Sequence, residues 1–193
     1  MNSMHEKKPT KSERTRAQIL AAARQLFAQQ GYDATTIRDV AAQASIDPAM
    51  VIRYFHSKEE LFALAATIEL KLPPVGAIDP ARIGDMLIRR FLEVWEGAPD
   101  GRGMAILLRS ASSNEFAANK MREVFNAQVR HAVASVGSPA NAGLRAGLVS
   151  SQLLGLAMCR YILQLPPVVA MSPEEIIRDI GPTLQRYVTG STG

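Results

Sequence analysis

The sequence predicts an all-α protein, on three observations. Apolar residues recur at three- and four-residue spacing almost throughout, and no stretch keeps the period of two that a half-buried strand requires. Helix-start signals recur as well: Thr36-x-x-Asp39, Asp47-Pro48, Ser57-x-x-Glu60 and Ser172-Pro173-Glu174-Glu175. Between the periodic stretches lie breakers, namely Gly31, the run Leu72-Pro73-Pro74-Val75-Gly76, Pro99-Asp100-Gly101, Gly137-Ser138-Pro139 and Pro166-Pro167.

Taken in order, these signals give about nine helices. A polar tail, 1–11, carries Lys7, Lys8 and Lys11 and is expected to be flexible. The first helix, 12–30, has Ile19, Ala22, Ala23, Leu26 and Phe27 on one face, and Gly31 stops it. The second opens at Thr35 and Thr36 and presents Ile37, Val40, Ala41 and Ala44 inward. After a short turn at Ser45-Ile46, a third runs from Asp47 to about Phe55. The fourth starts at Ser57 and continues through Leu61, Leu64, Ala65 and Ile68. The Pro-Pro-containing run at 72–76 marks a boundary. Beyond it Ile83, Leu87, Phe91, Val94 and Ala98 define a fifth helix, 103–111 a short apolar one, and Asn114 caps a long one to about Val136. An apolar helix covers 140–164. The last follows Ser172 with Ile176, Ile177, Ile180, Leu184 and Val188, and Gly181-Pro182 is expected to kink or split it.

Composition narrows the function. The chain has 193 residues, 47% of them hydrophobic, which allows a sizeable core. Its net charge of +4 is local: residues 1–58 hold nine basic and five acidic residues, and the remainder is balanced. The positive half is therefore the one suited to a polyanion. The lone Cys159 excludes an intrachain disulfide and fits a reducing, cytoplasmic setting. The apolar run from about Leu144 to Leu165 contains Arg145, Gln152, Arg160 and Gln164, which argues for a buried helix and against a membrane span. His5, His56 and His131 have no metal-ligand spacing. Neither a nucleophile elbow, a phosphate-binding loop nor a paired-Cys motif appears, so no enzyme, cofactor or metal is implied.

Helices two and three are short, tightly joined and framed by longer helices, the arrangement of a helix-turn-helix. Its second helix enters the DNA major groove with its N-terminal part toward base edges. On that helix Pro48, Ala49, Met50, Arg53 and Tyr54 are expected to face outward. Arg53 suits guanine O6 and N7 or a phosphate, Ala49 and Met50 a thymine methyl, and the Tyr54 hydroxyl a phosphate. Lys58 in the first turn of the next helix, Thr35 and Thr36 at the second, and Arg14 in the first are placed for the DNA backbone. Singly, each of these residues is more often a plain cap, core or surface residue; the ordered set points to double-stranded DNA.

The run 14–65, RTRAQILAAARQLFAQQGYDATTIRDVAAQASIDPAMVIRYFHSKEELFALA, resembles the DNA-binding domain of TetR-type transcriptional regulators. The matching elements are I-L-x-A-A-x-x-L-F, G-Y-x-x-T-T-I-R-D-V-A and Y-F-x-S-K-E-x-L. Three positions depart from the family pattern: Ser45 stands where Gly is usual in the turn, Asp47 where Ser or Thr is common, and Ile52 where Tyr often contacts phosphate. The resemblance implies an N-terminal DNA-binding domain (12–57), a connecting fourth helix and linker (58–76), and a C-terminal helical bundle (77–193) that dimerises and binds an effector. It implies a homodimeric repressor on a palindromic operator, released by a small, largely apolar ligand.

The C-terminal residues admit both roles. Small residues of the penultimate helix, Gly147 and Ser151 among them, with Leu154, Ile177 and Leu184, are candidates for a dimer face. Met86, Phe91, Trp95, Met104, Leu108, Phe116, Phe125, Met158 and Tyr161 are candidates to line an apolar cavity. A DNA-binding protein without ligand response, architectural in role, and a dimerising helical adaptor are the alternatives. Operator release by a ligand separates the first from a regulator, and the basic N-terminal half disfavours the second.

Overall fold

The computed structural model describes residues 10–72, 79–97, 100–136 and 141–190. Most of the expected basic tail and the breakers at 73–76 and 137–139 lie outside them. The regular structure of the described residues is all helical, with no strand among them. The helices are α1 (Lys11–Ala34), α2 (Ile37–Gln43), α3 (Pro48–Phe55), α4 (Lys58–Ala65), α5 (Ile83–Glu96), α6 (Asp100–Ser110), α7 (Glu115–Val124), α8 (Arg130–Ala134), α9 (Ala142–Ala157), α10 (Pro166–Val169) and α11 (Pro173–Thr189).

Caps set most of these boundaries. Thr10 and Glu13 form a complete capping box that starts α1, and Ser172 with Glu175 forms another at α11. Asn114 caps α7 by accepting from the Ala117 N–H at 3.1 Å. At α4 only half of the expected box forms. The Ser57 hydroxyl accepts from the Glu60 N–H at 3.1 Å, while the Ser57 N–H turns back to the Phe55 carbonyl at 2.6 Å.

Several features differ from the sequence reading: α4 ends at Ala65, short of Ile68, and α6 starts at Asp100, inside the expected turn. The helix expected over 114–136 contains a π turn, Phe125–Val129, between α7 and α8, and α9 ends in a second, Met158–Ile162. Phe125, Val129 and Val133 keep a four-residue apolar spacing through the first of these turns, so the sequence there reads as uninterrupted helix. Pro166-Pro167 does not merely break a helix but starts the one-turn α10, because proline suits a first helical turn. Pro182 lies inside an unbroken α11, so that helix is not split. Burial of Ile176, Leu184 and Val188 on both sides of the proline holds it together.

Two cores organise the molecule. The first joins Ile19, Phe27, Val40, Val51, Phe55 and Phe62 of α1–α4 to Met104, Ile106 and Leu107 of α6 and Ala117 of α7. Phe62 is its hub, with ring centroids 5.1 Å from Phe27, 5.0 Å from Tyr32 and 6.0 Å from Phe116. Gly31 breaks α1 with φ of 79°, which turns Tyr32 so that its N–H reaches the Ser110 hydroxyl of α6 at 3.0 Å. The second core packs α5 against α9 and α11 through Ile83, Leu87, Ile88, Val149, Leu184 and Val188. There α5 and α11 touch at Gly84 and Gly181, where a Cβ on Gly84 would lie 2.2 Å from the Gly181 carbonyl oxygen.

The segment Ala142–Ile162 is long and apolar enough to span a membrane by composition, with mean hydropathy 1.2. Its cations instead work inside the bundle. The Arg145 Nη1 donates to the Val188 carbonyl at 2.9 Å, closing the end of α11. The Arg160 Nη1 donates to the carbonyls of Val168, Val169 and Met171 at 2.7, 3.2 and 3.0 Å, which shapes the loop around α10.

Candidate nucleic-acid interface and ligand cavity

The turn between α2 and α3 is built by backbone hydrogen bonds. Ser45 N–H donates to the Ala42 carbonyl at 3.1 Å and Ile46 N–H to the Ala41 carbonyl at 2.9 Å, with Ser45 at φ of 52°. That pairing is a Schellman motif, whose left-handed residue is ordinarily glycine. Gln18 of α1 clamps the same turn, its Nε2 donating to the Ala44 carbonyl at 2.8 Å. Asp47 caps α3 by accepting from the Ala49 N–H at 2.7 Å, so its carboxylate is directed to the helix end. At the far end His56, with φ of 61°, makes the tight turn that brings α4 directly behind α3.

Val51 and Phe55 are buried, which turns the opposite side of α3 to solvent. Pro48, Ala49 and Arg53 are exposed, and Met50 and Tyr54 are half-buried, Tyr54 packing against the first core. Arg53 makes no hydrogen bond or ion pair among the described residues. Ile52 is 44% exposed on this same face. Its exposure follows from the inward pair Val51 and Phe55, one turn apart, a spacing present in the sequence.

The flanking residues divide. Thr36 is exposed and caps α2: its hydroxyl donates to Asp39 Oδ2 at 2.7 Å and accepts from the Asp39 N–H at 3.1 Å. The Thr36 hydroxyl, and after it the Thr36 N–H, which donates to the same Oδ2 at 2.8 Å, hold the Asp39 carboxyl below its usual range. Thr35 corrects the sequence reading, because it is fully buried with its hydroxyl donating to the Gly31 carbonyl at 2.8 Å, and no phosphate reaches it. Lys58 is half-buried, its Nζ 4.1 Å from the Tyr32 ring centroid. Burial, and after it the bond that the Tyr32 hydroxyl donates to Glu59 Oε1 at 2.7 Å, raises the Tyr32 phenol, and the same bond lowers the Glu59 carboxyl. Arg14 is exposed on α1.

A cavity of about 110 Å³ lies between α5, α6, α7, the π turn and α9. Phe91, Trp95, Met104 and Phe125 of the candidate set line it, together with Leu87, Val94, Met121, Val129, Leu153 and Leu154. The other candidates are elsewhere. Phe116 packs against Phe62, and Met86, Leu108 and Tyr161 pack on the second core, Tyr161 stacked on Trp95 at 4.7 Å. Met158 is half-buried in the second π turn. Helical periodicity reports which residues point inward but not which interior space they reach.

One side of α9 is bare. Leu144 is 57% exposed, Ser151 and Gly155 are exposed, and a Cβ on Gly143, Gly147 or Gly155 would meet nothing within 4 Å. Ile177 is half-buried against the second core. Leu184 is wholly buried within its own chain, so it is no candidate for an interface.

A helix-turn-helix joined to a helical bundle with an apolar cavity is the architecture of a DNA-binding transcriptional regulator. Comparison with known proteins agrees: residues 19–65 match the model described as bacterial regulatory proteins of the tetR family, and residues 81–188 the tetracyclin repressor-like C-terminal domain. The chain belongs to the TetR family of transcriptional regulators, a family of DNA-binding proteins and not of enzymes. A TetR-family regulator of known structure from Streptomyces coelicolor A3 is 30% identical, with 94% of this chain and 98% of that one covered and a TM-score of 0.61. NalD of Pseudomonas aeruginosa, described as the secondary repressor of the MexAB-OprM multidrug efflux pump, shares the fold at 18% identity and a TM-score of 0.69, with 92% of this chain and 98% of that one covered. The HTH-type transcriptional regulator TcmR of Streptomyces glaucescens is 35% identical over 99 residues, 51% of this chain and 40% of that protein. A Mycobacterium tuberculosis HTH-type transcriptional repressor is 46% identical over 55 residues, 28% of this chain and 29% of that one. The matched stretches thus span less than half the length of these two relatives.

Proposed function

We propose that this regulator is a homodimeric repressor that reads a palindromic operator with one α3 per half-site and leaves it when a small, largely apolar ligand occupies the cavity. The exposed face of α3 carries the reading: Arg53 stands without an internal partner among the described residues, beside Pro48, Ala49, Met50 and the exposed Ile52. Arg53 addresses a base edge or phosphate. Tyr54, Lys58, Thr36 and Arg14 address the DNA backbone and fix register. The N–H and hydroxyl of Thr36 both already donate to Asp39 Oδ2, so a phosphate approaches Lys58 more readily than the α2 start.

A single reader covers only a half-site, and a second copy about 34–36 Å away completes a palindrome. The bare face of α9, with Leu144, Gly147 and Ser151, together with Ile177 of α11, is the surface assigned to that second copy. Leu154, which also lines the cavity, links the two. The ligand reading is supported by the cavity walls, and the working compartment is the bacterial cytosol, where the DNA is.

Selection of bound sites from random DNA with the purified protein tests the whole reading. A palindrome whose half-sites lie one helical turn apart is the expected product. A single unrepeated half-site would remove the dimer, and no enriched sequence would remove the specific regulator.

A further inference from the structure

The cavity wall is apolar except at two places, the Ser150 hydroxyl and the Arg90 guanidinium, and no carboxylate stands among its described lining residues. A cationic ligand would therefore lose its hydration beside another cation, with no counter-charge to replace it. Arg90 is 20% exposed and already partly engaged. Its Nε donates to the Leu70 carbonyl and its Nη1 to Glu93 Oε2 at 2.8 Å. A carboxylate accepts from arginine along one edge, two parallel N–H groups at a time. Glu93 holds the Nη1 side, so the edge left for a ligand is Nε with Nη2, and Nε is the nitrogen held by Leu70.

Leu70 belongs to the segment that leaves α4 for the bundle. Gln128 fastens the same segment twice: the Leu70 N–H donates to its Oε1 at 2.7 Å, and its Nε2 donates to the Ile68 carbonyl at 3.0 Å. Gln128 sits in the π turn Phe125–Val129, whose two end residues line the cavity. Leu70 and Arg90 thus belong both to the wall of the cavity and to the tether of the DNA-reading module, and Gln128 sits between two wall residues.

We infer that the effector is a small aromatic or apolar acid, whose carboxylate takes the Nε–Nη2 edge of Arg90 and draws it off the Leu70 carbonyl, loosening the tether behind α4. The inference rests on the cavity being the effector site. The exchange replaces one Arg90 bond to a neutral carbonyl with two parallel bonds to a carboxylate, a paired geometry that adds both energy and specificity, so it favours the ligand. By linkage, the factor by which the acid weakens operator binding equals the factor by which operator weakens the acid.

Three isosteric probes test this: benzoate, benzamide and benzamidinium, titrated against the full-length protein. Trp95, the only tryptophan, lines the cavity and reports occupancy by its fluorescence. Benzoate is expected to bind at least tenfold tighter than benzamide, with benzamidinium weakest, and to accelerate hydrogen exchange of the Leu70 amide where benzamide does not. Arg90→Gln should bring benzoate and benzamide within about threefold of each other. Arg90→Lys, which keeps the charge without the two-nitrogen edge, should retain a reduced preference; both variants are checked for wild-type helicity. Equal binding of benzoate and benzamide to the wild type would overturn the acid class and leave the cavity standing as an effector site. A benzoate preference that survives Arg90→Gln would overturn the role of Arg90. If no probe alters Trp95 emission, the effector-site reading falls, and this inference with it.

Discussion

Gly84→Ala places a methyl group where two helices meet backbone to backbone. The new Cβ would stand 2.2 Å from the Gly181 carbonyl oxygen, 2.8 Å from the Gln185 nitrogen and 2.9 Å from the Gln185 Cβ. Carbon and oxygen rest at about 3.3–3.6 Å, so α5 and α11 must part by about 1 Å. Neither obstacle nearest the methyl is a side chain able to rotate away. A gap of that size forfeits about a quarter to a half of each dispersion contact across it, and Ile83, Leu87, Leu184 and Val188 all pack at this junction. The Gly84 N–H bond to Gln185 Oε1, now 2.9 Å, stretches too. Overpacking costs about 1–3 kcal/mol, and this site belongs at the upper end, offset by about 1 kcal/mol of helix propensity. The net of about 2 kcal/mol lowers the melting temperature by about 4–8 °C in a chain of this size. Thermal unfolding followed by circular dichroism measures it. Equal melting temperatures for Gly84→Ala and wild type would refute the close α5–α11 crossing.

Four further outcomes are expected. Arg53→Ala weakens binding to the best operator by about 1–3 kcal/mol and relaxes preference at one base pair; equal loss on all sequences would make Arg53 a phosphate contact. Lys58→Ala weakens binding on every sequence and lowers the slope of log affinity against log salt by roughly one unit, and an unchanged slope would remove Lys58 from the backbone contacts. Leu144→Glu puts a charge on the bare face of α9, so sedimentation should show monomers and operator binding should fall; dimers at wild-type strength would move the interface elsewhere. Asp39 has a carboxyl lowered chiefly by the Thr36 hydroxyl, so its contribution to stability is present above the unfolded value of about 4 and is lost as pH falls through the lowered folded value. Asp39→Asn should accordingly flatten the acid-side decline of melting temperature, and coincident pH profiles would show that the Thr36–Asp39 box does not form in solution.

Periodicity and capping chemistry made most of the helices legible, because both are local. Asp47-Pro48 starts α3 where the sequence places it, and Val51 with Phe55 marks its inner side. The same logic separates neighbours only by register, and there it slipped. Thr35 and Thr36 are alike as residues, yet one faces the core and the other caps α2. Ile52 lies on the outer face because Val51 and Phe55 point inward, a fact set by the turn of its own helix and not by a family pattern. Leu184 and Ile177 share an apolar stripe, but α5 covers the first completely. Cavity residues were the least legible. Phe91, Trp95, Met104 and Phe125 line the space while Phe116 and Tyr161 fill other gaps, a division decided by how α5 to α9 cross. Arg90, Gln128 and the segment 68–72 were invisible as a unit, since their association joins positions some twenty and sixty residues apart.

The π turn at Phe125–Val129 constrains how the chain can change length. A π turn holds one residue more than the α-helix would, and each residue in a helix rotates the next side chain by about 100°. Deleting exposed Asn126 or Ala127 would regularise the helix and swing Gln128 by that angle relative to Phe125. Either the wall or the tether would then lose its residue, since both are set in one frame. Substitutions on the outside of this turn are open to the protein; insertions and deletions are not.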